Sequence, residues 1–179
     1  EVTRFLRAVD VRIDGFRVEK APEGRGQRVF VKHEVDSKGY ELRLSEESAG
    51  TQKLMGLAAF LLAALERGGT VVVDELDAKL HPKLLRYVIL LFKDPEVNKH
   101  GAQLIFSSHD VSTMRNDVFR RDEIWFAARG EGEASQLWSL ADIHESNGNL
   151  VSKNAAFDKQ YLSGRYGADP YLTRIEEWD

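Results

Sequence analysis

Two short apolar runs constrain this chain more than any other feature. Thr70-Val71-Val72-Val73 leads into the adjacent carboxylates Asp74-Glu75, and Gln103 to Ser107 leads into Ser108-His109-Asp110. Between them, Pro82 heads a segment in which Leu84, Leu85, Val88 and Phe92 recur at helical spacing. Strand, helix and strand at these lengths predict an α/β fold, a parallel sheet with crossover helices. A parallel strand is expected to be buried and to deliver the residues at its carboxyl end to one edge of the sheet.

That edge carries chemistry. Asp74 is expected to hold a magnesium ion, directly or through water, and Glu75 to polarise an attacking water, because magnesium takes only one or two protein carboxylates and keeps several waters. His109 follows the second run closely, and carboxylate pair plus histidine reads as a nucleotide-hydrolysis constellation. The plainer alternative for Asp74 and Glu75 is a pair of surface ion pairs. It is disfavoured because adjacent acids repel unless a cation or separate partners divide them. A histidine is ordinarily a capping or core group; the place of His109 just past an apolar strand favours a catalytic one. Asp110 is read as the cap of the next helix and His81 as the cap of the helix that Pro82 begins. Nowhere does the sequence contain a glycine-rich loop ending in Gly-Lys-Ser/Thr to cradle phosphates.

Composition removes several classes. At 179 residues, 42% apolar and 30% charged, the chain can bury a core and is one domain by length. A net charge of −4 argues against a strongly basic nucleic-acid clamp. The lack of cysteine excludes disulfides and cysteine-ligated zinc and fits a reducing, cytoplasmic setting. His33, His100 and His144 have no metal-ligand spacing. No long apolar span or signal-like start points to a membrane. The first residue is Glu1, not methionine, so a piece of a longer protein is expected.

Three zones follow. Residues 1–44 read as short and strand-like: Val29, Val31 and Val35 alternate, with His33 on the same face, as do Tyr40, Leu42 and Leu44, which predicts half-buried strands. Asp36 to Gly39 supplies a turn for an antiparallel hairpin, and Pro22 to Gly26 reads as a loop. Residues 45–117 open with a helix whose apolar stripe is Leu54, Leu57, Ala58, Leu61, Leu62 and Leu65, capped by Ser48 or a neighbour and ended by Gly68-Gly69. Residues 118–179 hold two expected strands, Glu123 to Ala128 and Gln136 to Leu140, around a turn at Gly130 to Glu133. A polar and aromatic tail with Tyr161, Tyr166, Tyr171 and Trp178 follows.

Four motifs in this order resemble those of ATP-binding-cassette ATPases. Ser48-Ala49-Gly50-Thr51-Gln52-Lys53 resembles the signature motif, and Thr70 to Glu75 the Walker B strand with its catalytic glutamate. Leu76-Asp77-Ala78-Lys79-Leu80-His81-Pro82 resembles the D-loop of the non-transporter branch, and His109 the switch histidine. Within that branch the likeness is to AAA-like, RecF/SMC-related and overcoming-lysogenisation-defect-type ATPases, many of them in bacterial anti-phage defence; Tyr161 to Ala168 is similar to a tail motif of the group.

The resemblance implies an ABC-type P-loop NTPase domain of which residues 1–179 are the carboxyl-terminal part. Walker A and a Q-loop glutamine are then expected from an upstream region, and the 179-residue piece alone is expected to be inactive. The implied reaction is magnesium-dependent hydrolysis of ATP to ADP and phosphate in a head-to-tail dimer with a second copy. In that arrangement Ser48, Ala49 and Gly50 close the partner's nucleotide site, Asp77 senses it, Asp74 organises the metal, and Glu75 and His109 are catalytic. Ala49 stands where the family usually has glycine but keeps its amide. The plainer readings are a helix cap for Ser48 and Gly50 and a local turn for Asp77. A nucleotide-gated dimerisation or sensor module controlling a separate effector nuclease is the alternative function, as is a DNA-repair ATPase.

Overall fold

Val2, Phe5, Leu6 and Val9 recur with helical and not strand period, and in a computed structural model they form helix α1 (Val2–Val9) with Phe5, Leu6 and Val9 buried. This corrects the strand-like expectation for the start of the chain: the apolar spacing of three and four residues decides the element. The structure describes residues 2–9, 13–20, 26–129 and 134–168. It divides into two compact units, Glu1–His109 and Asp110–Asp179.

In the first unit, β1 (Ile13–Lys20), β2 (Gln27–Val35) and β3 (Lys38–Arg43) form an antiparallel sheet in that order. The β2–β3 hairpin closes through Asp36 and Ser37, with Val35 paired to Lys38 and φ of 50° and 60° at the two turn residues. Positive φ at both positions matches the right-handed twist of the flanking strands. Two expectations need correction here. β3 is exposed along its whole length, because no layer among the described residues covers it; across from its Leu42, Val31 of β2 is fully buried. Leu44 does not extend the strand but opens a short 3₁₀ turn, Leu44–Glu46. The expected loop at Pro22 to Gly26 falls, but for Gly26, outside the described residues.

Helix α2 (Ala49–Arg67) begins at Ser48, whose side chain accepts the Thr51 amide, and ends at Gly68 in the left-handed conformation with φ 75°. Only glycine fits there: a Cβ would lie 2.3 Å from the His100 carbonyl oxygen. β4 (Thr70–Val73), α3 (Pro82–Lys93) and β5 (Gln103–Phe106) follow as strand, crossover helix and strand. β4 and β5 run parallel in register, Thr70 opposite Gln103 through Val73 opposite Phe106. His81 caps α3 by accepting the Lys83 amide on Nδ1 at 3.1 Å.

The parallel strands are buried on one face only, which corrects the expectation of a fully buried β4. Val71, together with Leu91 and Phe92 of α3, packs against a buried cluster formed by Ala64 and Leu65 of α2 and Ala102. Side chains alternate along a strand, so Val72 and Ile105 point the other way and are 73% and 56% exposed. Among the described residues nothing covers that face.

In the second unit, β6 (Trp125–Arg129) and β7 (Ser135–Ser139) pair antiparallel, and α4 (Phe157–Leu162) follows. Both strands are displaced slightly from expectation by 3₁₀ turns at Arg121–Glu123 and Leu140–Asp142. The predicted turn at Gly130 to Glu133 lies outside the described residues, as do Tyr171 and Trp178. The aromatic part of the tail joins a core: Phe157 and Tyr166 are buried with Phe126, Leu140 and Val151. Tyr161 stacks on Phe126 at 5.8 Å between ring centroids. Among the described residues no helix is long and apolar enough to cross a membrane.

Candidate active site

The register of β4 and β5 assembles the site. Because Val73 faces Phe106, the next residues along, Asp74 and Ser107, meet at the carboxyl ends of the two strands. The Ser107 hydroxyl donates to Asp74 Oδ1 at 2.5 Å, and its oxygen accepts the Glu75 amide at 2.7 Å. One residue further, the Leu76 amide donates to the Ser107 carbonyl at 3.0 Å. The first turn past β4 is thus laced to the end of β5.

Glu75 sits in the left-handed region at φ 47°, a conformation non-glycine residues seldom adopt. Its backbone is held on both sides, by Ser107 at the amide and by the Lys53 ammonium, which donates to the Glu75 carbonyl. Its carboxylate is exposed and has no partner among the described residues. Strained backbone held by several hydrogen bonds, with a free acid at its tip, is a pattern that clusters at functional sites.

Asp77 Oδ1 accepts the backbone amide of His109 at 3.2 Å, so the loop after β4 also positions the residue after β5. The His109 side chain is exposed, and its ring has no hydrogen-bond partner among the described residues. Asp110 caps the 3₁₀ turn Val111–Thr113 by accepting the Ser112 amide at 2.6 Å, the capping role read from sequence.

Ser48, Ala49 and Gly50 form the amino terminus of α2. Ser48 Oγ accepts the Thr51 amide at 3.1 Å and lies 2.8 Å from the Thr51 hydroxyl, so the plain capping role is present in full. Gly50 has a local reason of its own: a Cβ there would stand 2.9 Å from the Lys79 carbonyl oxygen. Lys79, with φ 65°, belongs to the same loop as Asp77, so the helix start and that loop lie in close contact. Lys53 extends the connection from the next turn of α2 to Glu75. The structure therefore brings Ser48 to Gly50, Asp74 to Asp77 and Ser107 to His109 into one connected region of the first unit.

Ser107 and Lys53 are the residues whose roles sequence reasoning missed. The available signal for Ser107 was its position, one past the last paired residue of β5 and so opposite Asp74. Lys53 carried no comparable signal, since its reach to Glu75 depends on how α2 lies beside β4.

Among the described residues, no group of three or more His, Asp or Glu side chains could enclose a metal ion. One exposed carboxylate, Asp74, with Oδ1 engaged and Oδ2 open among the described residues, does fit magnesium, which retains waters and draws its other ligands from phosphate.

Comparison with known proteins gives three findings. The profile of the family described as "AAA domain, putative AbiEii toxin, Type IV TA system" matches residues 3–115. No curated protein matches the chain. Among solved structures, one described by "Structural biochemistry of ATP-driven dimerization and DNA stimulated activation of SMC ATPases" is similar at a TM-score of 0.51 and 17% identity, covering 77% of this chain and 82% of that one. At that identity the likeness is one of fold: this chain shares the α/β fold of that SMC ATPase.

Proposed function

The chain belongs to the AAA-domain family of AbiEii-toxin type, and from that membership we propose that it carries the Walker B, D-loop, switch and signature elements of an ATPase that hydrolyses ATP to ADP and phosphate. One observation supports this reading above the others: the exposed Glu75 carboxylate, without a partner among the described residues, stands on a strained, hydrogen-bonded turn beside Asp74 at the end of a parallel strand. Bound magnesium supplies charge neutralisation for the phosphates. Asp74, whose Oδ1 is engaged by Ser107, would hold the ion. Glu75 orients the attacking water and takes its proton on the carboxylate. His109 offers a ring nitrogen to the transferring phosphoryl group, in a position set by Asp77.

The open amides of Ala49 and Gly50 at the start of α2 suit an anion. In this proposal that anion is the γ-phosphate held by a second copy, with Asp77 facing the same site. The sequence has no phosphate-binding loop, so the proposal assigns Walker A and a Q-loop glutamine to an upstream region and treats residues 1–179 as the carboxyl-terminal part of one ATPase domain. ATP-driven dimerisation, named for the SMC ATPases of similar fold, is proposed here for this chain. An anti-phage defence setting is proposed from the family's toxin–antitoxin description and the tail motif at Tyr161 to Ala168.

Phosphate release by the protein with its upstream region is the test. Glu75→Gln keeps size and hydrogen bonding but removes the base, so turnover should fall about 10²–10⁴-fold. Calorimetry on the 179-residue chain alone should show little heat with magnesium-ATP. Unchanged turnover in Glu75→Gln overturns the catalytic assignment, and micromolar binding by the short chain overturns the need for an upstream loop.

A further inference from the structure

We propose that Ser107 is a positioning residue of this ATPase, a single hydroxyl that fixes both acids of the site at once; the inference rests on the ATPase reading above and deepens it. The chemistry permits one assignment of protons. An ionised carboxylate only accepts and an amide only donates. The Ser107 hydroxyl therefore donates to Asp74 Oδ1 at 2.5 Å while its oxygen accepts from the Glu75 amide at 2.7 Å. The first bond sets the Asp74 rotamer and leaves Oδ2 for the cation. The second holds Glu75 at φ 47°, a backbone state that needs external support in a non-glycine residue.

The consequence is a coupling between the two acids. Adjacent residues on a strand point to opposite faces, so Asp74 and Glu75 on a regular continuation of β4 would not serve one site. The left-handed turn at Glu75 re-aims its side chain, and the hydroxyl that stabilises this turn is the one that orients Asp74. Leu76 closes the arrangement by donating to the Ser107 carbonyl at 3.0 Å. Ser107 is exposed, which makes a purely packing role a poor account of it.

The experiment uses the protein with its upstream region and compares Ser107→Ala, Ser107→Cys and Ser107→Thr. Residue-resolved amide exchange at Glu75, measured without nucleotide, reads the hydrogen bond itself. Steady-state ATPase kinetics, titrated in magnesium, read its effect. In Ser107→Ala the Glu75 amide should exchange about five- to ten-fold faster, the range expected for losing one ordinary hydrogen bond. Its kcat should fall roughly ten- to a hundred-fold, as misplacement of reacting groups costs. KM for ATP should stay near wild type, while more magnesium should be needed for half-maximal rate. Cysteine is close in shape but a weak hydrogen-bonder, so it should behave as alanine does. Threonine, which keeps the hydroxyl, should restore exchange, kcat and magnesium requirement together.

Unchanged Glu75 exchange in folded Ser107→Ala and Ser107→Cys overturns the proposal. So does an equal loss of kcat in Ser107→Thr with exchange at the wild-type rate. If exchange at Glu75 rises as expected but Glu75→Gln turns over normally, the ATPase assignment of Glu75 fails while the tie through Ser107 stands.

Discussion

Asp77 Oδ1 accepts the backbone amide of His109 at 3.2 Å, joining two residues that lie 32 positions apart. Asp77 and His109 are thereby parts of one loop pair. Asp77→Asn keeps the acceptor oxygen and discards the charge; Asp77→Ala discards both. If Asp77 only positions His109, turnover should survive in the first and drop in the second. If its charge also faces the partner's nucleotide, as we propose, both should lower turnover and Asp77→Ala should lower it further. Phosphate-release assays on the two variants distinguish these outcomes.

The adjacent acids predict opposite assembly states. Glu75→Gln leaves the Ser107–Asp74 bond in place, so magnesium-ATP should still bind and the protein should accumulate as an ATP-bound dimer, visible by light scattering. Asp74→Asn replaces the oriented carboxylate and should weaken magnesium-ATP binding itself, leaving no trapped dimer. Dimer accumulation in Asp74→Asn would reverse the two roles.

Ser48→Arg removes the cap on the Thr51 amide and sets a long cation at the start of α2. Loss of a helix cap costs about 0.5–2 kcal/mol, so folding should survive. Nucleotide-dependent dimerisation should not, because the bulk stands where the partner's phosphate is proposed to dock. Normal dimerisation and turnover would leave Ser48 as a cap alone.

Gly68→Ala tests the scaffold without touching the site. The new methyl would meet the His100 carbonyl at 2.3 Å in a left-handed backbone. The expected cost is roughly 2–3 kcal/mol, read from the denaturant midpoint. A change under about 0.5 kcal/mol would mean that the α2–β4 junction relaxes freely.

Tyr166 sets an alkaline limit. Burial pushes its phenol up to about 12 from an ordinary 10, and its hydroxyl donates to Gln160 Oε1 at 2.7 Å. Below the unfolded value the group is protonated in both states and stability is indifferent to it. As pH rises from 10 to about 12 the unfolded chain sheds a proton that the native one keeps, so stability should fall across that window. Tyr166→Phe should flatten this part of the stability profile, measured by thermal melts at stepped pH; an unaltered slope would assign it to other groups.

The strand–helix–strand core of the first unit was legible because each element carries its own period and punctuation. Thr70 to Val73 is a continuous apolar run, Pro82 marks a helix start, and Gly68 marks a helix end. The caps at Ser48, His81 and Asp110 were legible for the same reason, since capping is a local contest between side chain and backbone amides. Helix α1 is the exception: Val2, Phe5, Leu6 and Val9 have helical spacing, but eight residues give only two turns of it, and the strand-like reading of residues 1–44 missed the helix.

What tertiary structure alone decided is burial and reach. Alternation in Tyr40 and Leu42 predicts a strand, but whether a layer covers it depends on elements far along the chain, and among the described residues none covers β3. Val72 and Ile105 follow the same rule: the apolar run specifies β4 and β5, while the helices packed on one face leave the other open. The chemistry divides likewise. Sequence names Asp74, Glu75 and His109 because charged residues at the end of an apolar strand stand out. Only the parallel register places Ser107 against Asp74, and only the lie of α2 brings Lys53 to the Glu75 carbonyl. Residue identity is a local property of the chain; the distances that turn acids into a site are set by pairing across more than thirty residues, as the Glu75–Ser107 bond spans 32.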